Sequence, residues 1–215
     1  MASGGDDARG PVWVGRLAGR LAGNEDRLCE PVLRRLRGSG RLADERLAPA
    51  AVLAAIVEVA SGPALLLTRR GDHLAQHGGQ VAFPGGAQET GDAGPEATAL
   101  REAEEEVGLT PGRVRVLGRL PGYPTVTGYL VTPVVGYVAA PQRFVAQPSE
   151  VADIFTVPVP VLLEQDRWMD RPIEFAGRRF PNRELHWKGQ RIWGATAGML
   201  QLLLDPLREA MEAGA

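Results

Sequence analysis

Apolar residues recur along this chain at two periods. From 11 to 37 they fall three and four apart, at Val12, Val14, Leu17 and Leu21, then at Leu28, Val32, Leu33 and Leu36. That is the stripe of an amphipathic helix. Gly23-Asn24 divides it into two helices, and Gly38 to Gly40 ends it. These helices read as a packing or dimer-forming appendage. Continuous apolar runs follow, Ala51 to Ala60 and Ala64 to Thr68, separated by Ser61-Gly62-Pro63. This is the pattern of a β-hairpin. Gly71 to Gly79 reads as a loop, and Gln80 to Phe83 as a short strand stopped by Pro84-Gly85-Gly86. Pro95 to Val107 is the clearest helix, because Pro95 suits its first turn and Gly108 suits the left-handed position after its end. Val114 to Leu120 and Tyr129 to Val138 predict strands. Pro148 to Phe155 predicts a helical turn, and two prolines leave Val157 to Leu163 open between strand and helix. Pro172 to Ile192 predicts short strands around a turn near Pro181-Asn182, and Ala195 to Leu204 a closing helix. Strands and helices mix without regular alternation. The prediction is one mixed α/β domain over 49–215, a helical extension over 11–48 and a loose tail over 1–10.

Composition narrows the function classes. With 215 residues, 44% of them hydrophobic, the chain can bury a sizeable single core. A net charge of -2 gives no general attraction to nucleic acid or to an anionic membrane. No apolar run reaches the roughly 20 residues of a membrane span, and the first ten residues lack a secretory core. Cys29 is the only cysteine, so no internal disulfide forms and a reducing cytoplasm is expected.

The chemistry concentrates in Arg101-Glu102-Ala103-Glu104-Glu105-Glu106-Val107. A helix turns about 100° per residue. With Leu100 at zero, Ala103 and Val107 fall near it as a buried stripe. Glu105, Glu102 and Glu106 then share one arc at about 140°, 200° and 240°. Three carboxylates so placed repel one another, and a divalent cation would reverse that penalty, since Mg²⁺ takes oxygen ligands and keeps open positions for phosphate. A solvated acidic face is the plain alternative. Phe83-Pro84-Gly85-Gly86 upstream lets backbone approach a ligand, and Arg101 can orient a carboxylate.

Gly86 to Leu109 resembles the signature of the Nudix hydrolases. The second half is complete in Arg101 to Leu109. In the first half Asp92 stands where a glutamate is usual, one residue further from the arginine, with Glu89 as the alternative. That departure resembles the coenzyme A pyrophosphatase branch. So do Leu66-Leu67-Thr68-Arg69-Arg70 with His77 to Gly86, Pro148-Ser149-Glu150-Val151, and Trp193 to Gly198. Gly71, where Ser or Ala is usual, and Ala75, where Arg is usual, depart from that branch. The resemblance implies a mixed-sheet α/β/α sandwich of Nudix type. It implies Mg²⁺ or Mn²⁺ held by Glu102, Glu105 and Glu106 with the Gly86 carbonyl, and Arg101 holding the carboxylates. It implies a general base at Glu102 or Glu150. Arg69, Arg70, His77, Gly85, Thr125 and Thr127 are the candidate substrate contacts. The implied reaction is hydrolysis of coenzyme A or acyl-coenzyme A to 3′,5′-ADP and 4′-phosphopantetheine or its acyl form. A Nudix pyrophosphatase for ADP-ribose or another dinucleotide is the near alternative, and a non-catalytic nucleotide sensor the distant one. The expected partner is a small nucleotide, with the N-terminal helices as the candidate homodimer contact.

Overall fold

The computed structural model describes residues 10–38, 47–74, 77–139, 143–175 and 177–213. Two helices open the chain, α1 (Val12–Leu21) and α2 (Glu30–Gly38), separated at the predicted glycine. The hairpin follows as β1 (Ala48–Val59) and β2 (Gly62–Arg70), paired antiparallel. Next come β3 (Val81–Ala82), β4 (Gly85–Ala87), α3 (Pro95–Val107), β5 (Arg115–Arg119), β6 (Tyr123–Pro124) and β7 (Tyr129–Val138). β8 (Val151–Pro158) leads into the short α4 (Val159–Leu163). Small strands β9 (Trp168–Asp170), β10 (Ile173–Phe175), β11 (Arg178–Phe180), β12 (Arg183–Trp187) and β13 (Gln190–Ile192) precede the long α5 (Gly194–Glu212).

The main sheet has the order β3-β2-β1-β7-β5, with β4 on β1, β6 on β7 and β8 on β2. It is mixed: β1 and β7 run parallel over ten residue pairs, from Ala48 opposite Tyr129 to Val57 opposite Val138, and the other pairings are antiparallel. Alternate residues of β1 feed opposite faces, as the two-residue period of a strand requires. Leu53, Ala55 and Val57 join Ala99, Ala103 and Val107 of α3 in one core. Ala54 and Ile56 join Val14, Leu17 and Leu21 of α1 and Leu200, Leu203 and Leu207 of α5 in the other. The result is a three-layer α/β/α arrangement with buried apolar residues above and below the sheet. Among the described residues no helix is long and apolar enough to cross a membrane.

Three sequence expectations change. Residues 148–150 form a turn, but 151–155 are strand, because β8 finds a long-range partner in β2, from Val151 opposite Arg70 to Pro158 opposite Ala64. Pro84-Gly85-Gly86 does not simply stop a strand. Gly85 to Ala87 pair with Val52 to Ala50 as a short strand of their own. The closing helix begins one residue early and runs to Glu212, eight residues past the predicted end. The open segment 157–163 divides, with β8 ending at Pro158 and α4 beginning at Val159.

Candidate active site

α3 keeps its predicted bounds. Pro95 occupies its first turn, and Gly108 sits at φ 68°, donating its amide to the Glu104 carbonyl at 3.0 Å. Which side faces the sheet differs from the expectation centred on Leu100. Ala99, Ala103, Glu106 and Val107 are buried, while Leu100 is only half-buried. On the same helical wheel these four span about 240° to 340°, and Thr98, in the first turn, is buried as well at about 160°. The small alanines turn inward because they let the helix lie close on β1. The three glutamates therefore begin at the edge of the buried arc, and their exposure falls in steps: 58% for the Glu105 side chain, 14% for Glu102 and 4% for Glu106.

Each carboxylate has a distinct holder. Gly85 donates its amide to Glu106 Oε2 at 3.2 Å, and Arg70 Nη1 lies 3.6 Å from Glu106 Oε1. Arg101 Nη1 lies 2.9 Å from Glu102 Oε1 and 3.0 Å from Glu105 Oε2. The same guanidinium grips Asp92 with two parallel bonds, Nε to Oδ1 and Nη2 to Oδ2, both 3.1 Å, and donates to the Ala87 carbonyl at 3.2 Å. Asp92 Oδ2 also accepts from Thr98 Oγ1 and the Glu89 amide, both at 2.9 Å. Glu89 itself is exposed and 3.9 Å from Arg101, so of the two acidic candidates Asp92 is the one that clamps the arginine. Nothing in the spacing pointed to Thr98.

Gly86 completes the crowding. A Cβ there would stand 2.5 to 2.8 Å from the Glu102 carboxylate atoms. The electrostatics follow the burial. Burial pushes the Glu106 carboxyl up to about 7, against the pull of Arg70 and the Gly85 amide, with Glu102 and Glu150 adding to the rise. Glu102 is raised by burial too, with Arg101 opposing and Glu105 and Glu150 adding. Asp92 is held well below the usual carboxylate range by its hydrogen bonds to Arg101 and the Glu89 amide. Glu150 thus acts on both glutamates, although it stands 44 positions after Glu106 and 48 after Glu102.

The remaining candidates scatter. Arg69 turns to Asp72, Nη1 to Oδ1 at 2.8 Å. His77 adopts φ 58° and bonds Gln80 Oε1 through Nδ1 at 3.0 Å, within its own loop. Thr125 Oγ1 bonds Thr127 Oγ1 and the Tyr129 carbonyl, each at 3.1 Å, inside the turn from β6 to β7. Gly71 is buried, and Ala75 lies outside the described residues.

Among the described residues no three His, Cys, Asp or Glu side chains converge closely enough to hold one ion. Arg101, Arg70 and the Gly85 amide engage the carboxylates instead. The donor set nonetheless suits a hard divalent cation. Glu106 is buried with a charge that its neighbours do not fully offset, and Glu102 fills the space a side chain at residue 86 would take.

Comparison with known proteins agrees with this geometry. A model of the NUDIX domain matches residues 48–192. An uncharacterized Nudix hydrolase, NudL, from Escherichia coli K12 is 46% identical over 156 residues, covering 72% of this chain and 80% of the relative. NudL of Shigella boydii serotype 18 matches with the same identity and coverage. The MutT protein of Methanosarcina mazei Go1 shares the fold at a TM-score of 0.52 and 14% identity, covering 79% of this chain and 99% of that one. Family model, relatives and the carboxylate helix with its arginine clamp agree: the chain belongs to the Nudix hydrolases.

Proposed function

We propose that the diphosphate this Nudix hydrolase cleaves is that of coenzyme A or acyl-coenzyme A, with water yielding 3′,5′-ADP and 4′-phosphopantetheine or its acyl form. The supporting observation is that the segment resembling the coenzyme A branch, Leu66 to Gly86, converges on the carboxylates of α3. Its Arg70 and Gly85 both meet Glu106. The Arg70 side chain moreover stays 27% exposed, which leaves a guanidinium beside the carboxylates to meet a phosphate oxygen.

In this reading Glu102, Glu105 and Glu106, with the Gly86 carbonyl, hold Mg²⁺ or Mn²⁺. The bound ion supplies charge neutralisation and lowers the pKa of water. Arg101 fixes the carboxylates, its own orientation set by Asp92. Glu150 accepts the proton of the attacking water, with Glu102 as the other candidate, and Arg70 receives the diphosphate. Arg69, His77, Thr125 and Thr127, each bonded to a neighbour of its own, would meet the substrate only by turning away from those partners. Phosphoryl transfer asks mainly for positioning and neutralised charge, which this set provides. The acyl end lies far from the bond broken, so it is free to vary. A reducing cytoplasm, where coenzyme A carries a free thiol, fits the single Cys29.

A panel of coenzyme A, acetyl-coenzyme A, ADP-ribose and a dinucleoside polyphosphate, each with Mg²⁺ and with Mn²⁺, tests this reading by product analysis. The expected result is the highest kcat/KM on a coenzyme A species, with 3′,5′-ADP as product. Faster turnover of ADP-ribose overturns the substrate assignment.

A further inference from the structure

The segment 143–150 has no regular structure, yet it is tied down at both ends. Val145 donates its amide to the Val107 carbonyl and Gln147 to that of Glu106, both at 2.9 Å. These are carbonyls at the end of α3 that the helix itself leaves unpaired. At the other end the Gly71 amide donates to the Glu150 carbonyl at 2.8 Å. One side chain joins this second tie: His73 Nε2 lies 3.0 Å from the Ser149 carbonyl oxygen. A carbonyl only accepts, so Nε2 carries the proton, as it does in one neutral tautomer and in the imidazolium. Gly71 makes the contact sterically possible. A Cβ at 71 would stand 2.5 Å from His73 Cε1 and 2.8 Å from Nδ1, within the space the ring occupies.

We propose that His73, seated on Gly71, is a positioning residue that latches the Ser149-Glu150 turn so that Glu150 faces the carboxylates of α3. The inference rests on the reading of Glu150 as general base. Its logic is mechanical. The main-chain bonds at Val145 and Gln147 set where the segment starts, and those at Gly71 and His73 set where it ends. Glu150 turns within the second pair, and its charge acts on Glu102 and Glu106 of the neighbouring helix. Loosening the latch leaves the substrate contacts in place and lets the base wander.

The test is a kinetic cycle with His73→Ala, Gly71→Ala, Glu150→Gln and the double variants. It is run on whichever of coenzyme A and ADP-ribose the wild-type chain hydrolyses. The latch predicts that His73→Ala lowers kcat about ten- to a hundredfold, the cost of a base misplaced by about 1 Å, with KM little changed. Gly71→Ala reproduces the loss by evicting the ring, and adding His73→Ala to it costs nothing more. His73→Gln, whose amide reaches as Nε2 does, restores most of the turnover. In the Glu150→Gln background His73→Ala has no further effect. Independent, multiplicative losses there overturn the latch. So does wild-type turnover by His73→Ala beside a crippled Glu150→Gln, an outcome that leaves the base assignment standing. If Glu150→Gln itself turns over like wild type, both readings fall together.

Discussion

Gly86 faces the Glu102 carboxylate with no room for a methyl group. An alanine Cβ at this position stands 2.5 Å from Oε1, 2.7 Å from Cδ and 2.8 Å from Oε2. All three nearest atoms belong to the tip of one side chain, so the short strand β4 can accept alanine while the carboxylate gives way. To reach 3.4 Å, where ordinary contact begins, the nearest oxygen retreats by about 0.9 Å, the difference from 2.5 Å. Moving the side chain off its rotamer costs about 1 kcal/mol. For a chain of this length that lowers Tm by about 2–4 °C. The same displacement at a catalytic group costs on the order of a hundredfold in rate. Gly86→Ala is therefore expected to melt almost as wild type while kcat falls about a hundredfold and the Mg²⁺ or Mn²⁺ needed for half-activation rises. Scanning calorimetry and a metal titration of turnover measure the two halves separately. Wild-type turnover at the wild-type metal requirement refutes the claim that Glu102 works from this position.

Glu106→Gln keeps the shape of the most buried carboxylate and removes its charge. Turnover is expected to fall by several orders of magnitude with the far-ultraviolet spectrum unchanged, and added Mg²⁺ is expected to raise the Tm of wild type but not of the variant. Equal turnover in the variant would sink the metal assignment. The pairing of Glu96 with Arg119 gives a pH dependence remote from Glu102 and Glu106. Arg119 holds the Glu96 carboxyl below its ordinary value, outweighing the effect of burial. A depressed folded-state pKa stabilises above the unfolded value and is lost as pH falls through the folded one. Glu96→Gln should therefore lower Tm at pH 7, and the gap to wild type should narrow once pH drops below the unfolded carboxyl's value of about 4.3 and close below the folded one. A gap that does not narrow at all on acidification would mean that the pair is not the cause.

Legibility in the sequence tracked the range of the interaction. α3 was readable to the residue, because Pro95 and Gly108 are local signals and the helix between them satisfies its own hydrogen bonds. The hairpin of β1 and β2 was readable for the same reason. β8 was not, since Pro148-Ser149-Glu150 looks like the start of a helix and the partner that makes the following residues a strand is β2, some eighty positions away. β4 escaped notice because two glycines carry no strand propensity and pair only where β1 offers an edge. At the site, the shared arc of Glu102, Glu105 and Glu106 was visible, but its relation to the core was not. Centring the stripe on Leu100 placed Ala103 and Val107 rightly but left out Ala99 and Glu106, and only the sheet decides how far round the helix the buried face extends. Along the chain Asp92 was the first choice and Glu89 the alternative; Thr98 and Arg101 separate them in space.

The contact between α1 and α5 bears on how this molecule comes into being. Val14, Leu17 and Leu21 are fully buried in a core shared with Leu200, Leu203 and Leu207, and Arg20 pairs with Glu209 across 189 positions of chain. On a ribosome, α1 has to keep its apolar stripe in reserve until α5, made later, leaves the exit tunnel. At about 5–20 residues per second that delay is about ten seconds or more. A polar substitution at Leu17 would shrink the apolar stripe left waiting and weaken the core it later joins.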